Sequence, residues 1–120
     1  MERLWIGFGA LFGLTAVAMQ AYIAHGTKGV AAASLVSLHS AADTQMWHAL
    51  ALVATGAWGG RGRKRLVNWA GLAFVVGIAL FCGAIYAQVL RGLHLPNLAP
   101  TGGFVLMGGW LLLLLSAVRR

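Results

Sequence analysis

The sequence predicts an all-α integral membrane protein, a four-helix bundle with its N and C termini on the cytoplasmic side. Three observations carry this reading: a composition unsuited to water, four apolar runs of spanning length, and basic residues gathered mostly on one side of those runs. Of the 120 residues, 9% are charged and 60% are hydrophobic, against roughly 25% and 45–50% in soluble domains. A soluble fold of this size has too little interior to hide so much apolar surface. A bilayer accepts it.

A spanning helix needs about 20 mostly apolar residues. Residues 4–24 supply the first, interrupted by Thr15, Gln20 and Tyr22. This run is too long for the core of a cleaved signal, so it reads as a span. The second, 40–59, is less simple. Its clean apolar part, 46–58, rises only about 20 Å at 1.5 Å per residue, short of a hydrocarbon core of about 30 Å. The helix is therefore expected to start near residues 38–42. That start places Asp43, Thr44, Gln45 and His48 in or beside the outer leaflet, local thinning of the bilayer being the alternative.

Residues 25–37 then form the longest connection. Within it, the apolar stretch 30–38 reads either as the start of the second helix or as a short interfacial helix. Residues 67–90 supply the third span and 101–118 the fourth. Pro100 is tolerated at the first turn of the last helix, where the N–H has no partner anyway. The remaining links are short, which makes consecutive helices antiparallel neighbours.

Orientation follows from Lys and Arg. One side carries Arg3, Arg61, Arg63, Lys64, Arg65, Arg119 and Arg120, and the other only Lys28 and Arg91. The first side is assigned to the cytoplasm. This placement also accounts for the net charge of +7; no basic face with interleaved aromatics points to nucleic acid. Trp5, Trp58 and Trp69 fit an aromatic belt at the cytoplasmic interface, and Tyr22, Trp47 and Tyr86 one at the other. Trp110 falls near mid-membrane and is expected to pack in the bundle.

Between helices, lipid supplies no hydrophobic driving force, so close backbone approach and hydrogen bonds must hold them together. Gly9 and Gly13 form a GxxxG pair, and Ala79, Gly83 and Ala87 a stripe of small residues on the third span. Gly102 and Gly103, with Gly108 and Gly109, serve the fourth. A faint repeat at an offset of 64 aligns Trp5, Gly7, Gly13 and Tyr22 with Trp69, Gly71, Gly77 and Tyr86. It reads either as a parallel duplication or as a shared packing need. The single cysteine, Cys82, has no intrachain disulfide partner and reads as a small buried hydrophobe.

Polar side chains in a membrane are costly, so each is a functional candidate. They gather at the non-cytoplasmic end: Gln20 and His25 on the first span, His39, Asp43, Gln45 and His48 on the second, and Tyr86, Gln88, Arg91 and His94 at or after the third. At 100° per residue, Gln20 falls on the face of Gly9 and Gly13 and should meet a neighbouring helix. His39 and Asp43 share a face, whereas His48 lies nearly opposite His39. One metal ion held by these three therefore needs help from His25 or His94.

The functional reading of this cluster is a metal, haem or proton site. The plainer one is a hydrogen-bond network that fixes packing, with an interfacial ion pair at His39 and Asp43 and solvated His25 and His94. No cofactor is assigned. Phosphate loops, nucleophile elbows and zinc-protease motifs are absent from the sequence. The two carboxylates, Glu2 and Asp43, lie at opposite faces and cannot act as an acid–base pair.

Several segments carry a family pattern: Ala24-His25-Gly26, the run from Gln45-Met46-Trp47-His48 to Leu52, Gly77 to Tyr86, Gly102-Gly103 and Gly109-Trp110. In this order, over nearly the whole chain, they resemble the domain of unknown function 423 family of transmembrane protein 256-like small membrane proteins. The resemblance implies a small multi-pass protein of the bacterial inner membrane, or of a mitochondrial membrane in a eukaryote. It implies no established enzyme activity, and it carries over to His25, Gln45 and His48. Two departures stand out: the entry to the last helix reads Ala99-Pro100-Thr101-Gly102-Gly103, and Cys82 or Gly83 replaces a serine of the third helix.

The expectation is an accessory or scaffold subunit, not an enzyme. It would contact membrane lipids and either other membrane subunits or copies of itself, with no nucleic acid partner. The alternatives are a metal or haem protein using His25, His39 and His48, and an oligomeric transporter or channel using Asp43, Gln20 and Gln45.

Overall fold

The computed structural model describes residues 1–26, 28–61 and 63–118. Arg119 and Arg120, counted above for orientation, lie outside the described residues. Four helices account for most of the chain: α1 (Glu2–His25), α2 (Ala32–Trp58), α3 (Lys64–Arg91) and α4 (Leu98–Val118). They form a four-helix membrane bundle measuring 52 × 26 × 17 Å. Both described ends of the chain lie at the end occupied by the α2–α3 turn, since Glu2 packs on Gly59 and Trp58 bonds Ser116. The α1–α2 and α3–α4 links lie at the other.

Three of the helices, α1, α3 and α4, are long and apolar enough to cross a membrane. The polar side chains concentrated between Ser34 and His48 set α2 apart. It nevertheless has ample length. It starts at Ala32, so 30–38 is largely the beginning of α2 rather than a separate interfacial helix, and its 27 residues rise about 40 Å. The connection before it shrinks accordingly to residues 26–31. α3 stops at Gly92, whose φ of 67° is available to glycine without a Cβ clash. There the N–H groups of Gly92 and Leu93 donate back to the Gln88 and Ala87 carbonyls, the first with the spacing of an αL ending.

Each helix packs chiefly on its neighbour in sequence: α1 on α2, α2 on α3, and α3 on α4. Missing side chains make these approaches possible. A Cβ on Gly9 would come within 2.7 Å of the Ala49 carbonyl oxygen, and one on Gly56 within 2.7 Å of the Glu2 carbonyl. Gly102 lies directly against the Phe81 backbone, Gly77 receives Leu106, and Gly109 receives the Phe74 ring.

The expected packing set therefore divides. Gly9 and Gly102 are at close contacts, and Gly13 is in ordinary contact with Ala49. Gly83 and Gly103 have open space where a Cβ would stand. Ala79 and Gly83 are exposed, and Ala87 is half-buried. The stripe on α3 faces outward because α3 meets α4 through the face that carries Gly77 and Phe74.

Two of the interface anchors also prove to be interior. Trp5 is 3% exposed, its indole lying over Gly71 (2.5 Å from an added Cβ) and its Nε1–H donating to Asn68 Oδ1 at 3.0 Å. Trp69, its counterpart at the 64-residue offset, is exposed. Tyr86 turns inward as well, while Tyr22 stays outside. The paired positions thus occupy unlike surroundings, Gly7 having open space where Gly71 receives Trp5.

Filling the notch at Gly71 with leucine should destabilise the bundle by about 1–3 kcal/mol, the usual cost of overpacking. Gly83→Leu should leave it unchanged. Thermal unfolding of both variants in detergent checks the contrast.

Candidate functional site

The polar residues of α2 point into the bundle at two levels, three residues apart. Gln45 is 4% exposed and His48 8%, both on the face that also buries Ala41, Ala42 and Leu52. An amide in such a place must find partners for two donors and an acceptor. Gln45 Nε2 donates to the Phe12 carbonyl at 2.8 Å and to Thr15 Oγ1 at 2.7 Å, both on α1. Its Oε1 accepts the Tyr86 hydroxyl from α3 at 2.8 Å. Thr15 can accept because its own proton goes back to the Leu11 and Phe12 carbonyls. The partners fix which way the amide faces: turned over, its oxygen would meet the Phe12 carbonyl oxygen.

One turn closer to the α2–α3 turn, His48 is held just as fully. Its Nδ1 lies 2.7 Å from the Thr44 carbonyl and its Nε2 accepts the Trp110 indole N–H from α4 at 2.9 Å. A carbonyl only accepts and an indole only donates. The proton therefore sits on Nδ1, and the Nε2 lone pair is taken. The ring is flanked by Phe74 and Trp110, each centroid 5.8 Å away. Through these two side chains α2 is bonded to each of the other three helices.

Gln20 meets α2, as its angle predicts, donating to Asp43 Oδ1 at 2.9 Å. Asp43 thus turns to α1, and among the described residues no ion pair joins it to His39. His25, His39 and His94 are exposed. The structure does not bring His25, His39 and His48 together: no group of three potential metal-ligating side chains occurs among the described residues, and both nitrogens of His48 already have partners. Cys82 keeps a polar link, its thiol donating to the Ala41 carbonyl at 3.2 Å.

Sequence reasoning missed the partners rather than the cluster. Thr15 counted only as an interruption and Trp110 as a packing residue, while Tyr86 stood among the polar candidates and also as an interface anchor. Trp110 is 47% exposed; only its N–H edge reaches inside. The available signal was the donor inventory. Tyrosine and tryptophan in a span need an acceptor, and four of them match four polar residues: Trp5 with Asn68, Trp58 with Ser116, Tyr86 with Gln45 and Trp110 with His48.

Beside the Gln45 level, α1 and α3 part to leave a groove of about 310 Å³ open to the bundle surface, with Thr15 and Gln45 on one side and Ala79 and Gly83 on the other.

Comparison with known proteins gives a consistent picture. The family model described as protein of unknown function (DUF423) matches residues 19–103. A UPF0382 membrane protein of Staphylococcus aureus (strain bovine RF122) is 35% identical over 119 residues, 98% of this chain and 97% of the relative. UPF0382 membrane proteins of Staphylococcus haemolyticus and Staphylococcus saprophyticus are each 33% identical over 98% of this chain, covering 97% and 98% of their own lengths. No solved structure matches.

Losing one partner should be felt across helices. Tyr86→Phe and Trp110→Phe should each cost about 0.6–1.7 kcal/mol, the range for hydrogen bonds between membrane helices. Tyr22→Phe should cost nothing. A double-mutant cycle of Tyr86→Phe with Gln45→Leu, read by unfolding in detergent, should return a coupling of the same size.

Proposed function

Because this chain belongs to the DUF423 family of membrane proteins of unknown function, and its buried polar groups are occupied with one another, we propose that it is a non-catalytic accessory or scaffold subunit of the bacterial inner membrane. Its Arg3 and Arg61–Arg65 end faces the cytoplasm, by the distribution of Lys and Arg. One observation carries the reading. Of the small-residue stripe, Ala79 and Gly83 are left uncovered by the bundle and Ala87 is half-covered, with no atom within 4 Å of a Cβ added at Gly83. Small residues let two helix backbones approach closely in lipid, where packing rather than water exclusion drives association. A groove beside such a stripe suits a transmembrane helix of a larger complex.

The polar cluster supports the same reading. A ligand site keeps lone pairs or donors free to engage its ligand. Here the amide of Gln45 and the imidazole of His48 are spent on holding α2 to its neighbours.

Gly83→Leu tests this directly. The variant should fold with an unchanged midpoint yet lose the membrane proteins that co-purify with the native chain after mild solubilisation. If the native chain migrates alone under the same conditions, or if Gly83→Leu retains every partner, the reading is wrong.

A further inference from the structure

The end that carries Glu2 and Lys64 holds a pocket that the polar cluster does not use. It has a volume of about 440 Å³ and is lined by Met1, Glu2, Arg3, Gly59, Lys64 and Asn68. Glu2 is the only acidic side chain at this end, the other, Asp43, being bonded to Gln20 at the opposite one. Its carboxylate folds over Gly59 and Gly60. No ion pair among the described residues ties it to Arg3, Lys64 or Arg65. Three cations against one carboxylate leave the region positive.

Two apolar grooves adjoin this pocket. One, of about 270 Å³, shares Arg3 with it and runs along α1 past Leu4, Gly7 and Leu11. The other, of about 310 Å³, shares Asn68 and runs along α3 from Arg65 past Trp69 and Leu72. Both descend from the basic end into the hydrocarbon-facing surface of the bundle. Leu4, Leu11, Trp69 and Leu72 are all exposed.

The geometry points to a binding site for one anionic diacyl phospholipid of the leaflet at this end, its phosphate between Arg3 and Lys64 and one acyl chain in each groove. A basic pocket at a membrane interface attracts anionic headgroups. The paired grooves add what a soluble phosphate lacks, apolar contact along two chains. Glu2 and Asn68 suit a headgroup with hydroxyls to donate. The site is independent of the proposed scaffold role, since it uses neither Ala79 nor Gly83.

Native mass spectrometry of the full chain in detergent, titrated with lipids of matched chains, tests the site. Phosphatidylglycerol should bind one per chain and at least tenfold more tightly than phosphatidylcholine or phosphatidylethanolamine. At about fivefold for each basic group, the double variant Arg3→Gln/Lys64→Gln should weaken it on the order of 20-fold. Gly7→Leu, which enters open space, should weaken the diacyl lipid several-fold and the lyso-lipid little. Glycerol phosphate at millimolar concentration should not displace the lipid. Equal affinity for the zwitterionic lipids, displacement by glycerol phosphate, or equal weakening by Arg61→Gln/Arg63→Gln would each overturn the proposal: the first removes headgroup selectivity, the second makes it a free-phosphate site, and the third makes it diffuse attraction to a basic end.

Discussion

The bundle depends on how α2 satisfies its own polarity. In lipid an unpaired amide or imidazole costs more than in water, because nothing in the hydrocarbon replaces a missing partner. Gln45 and His48 are therefore both a penalty and a means of assembly. Placed three residues apart on one helix, they reach α1, α3 and α4 through five bonds of 2.7–2.9 Å, counting the one His48 makes to its own helix. Glycines set how near the helices come. The amide and the ring set which helices meet, and in what rotation. A translation of α2 by one turn would strand the donors of Tyr86 and Trp110 as well as its own groups.

Two kinds of surface result. Within the bundle, the close approaches at Gly9, Gly56, Gly71, Gly77, Gly102 and Gly109 are filled by specific neighbours. Outside it, Gly83 and Gly103 are equally small and would meet nothing within 4 Å of an added Cβ. A small side chain permits close packing but does not choose a partner. In this chain the choice is made by what stands opposite: Leu106 for Gly77, Trp5 for Gly71, Phe74 for Gly109.

This is why the fold was legible in the sequence and much of the site was not. Helix number follows from apolar length, and the antiparallel order from short links. Helical angle sufficed to turn Gln20 toward a neighbour. The start of α2 was harder, because residues 30–38 are apolar enough for an interfacial helix and continuous enough for a spanning one. The inward turn of Trp5 and Tyr86 was hidden for a different reason. An amphipathic aromatic near a helix end looks the same whether its polar tip meets headgroups or a buried acceptor, and only the facing helix decides. The outward turn of the Ala79 stripe likewise depends on where α4 docks, which no single-helix periodicity contains.

The weak hydrophobicity of α2 also bears on how the protein is made. Leaving the insertion channel alone, α2 would carry Asp43, Gln45 and His48 into acyl chains, with a charged residue near mid-helix costing about 2.5–3.5 kcal/mol on the biological insertion scale. Paired with α1 it does not face that cost in full, because Gln20, Thr15 and the Phe12 carbonyl have been synthesised before it and stand ready to bond it. With the first two helices side by side, Asp43 and Gln45 meet the hydrocarbon already bonded, a condition α2 alone does not satisfy.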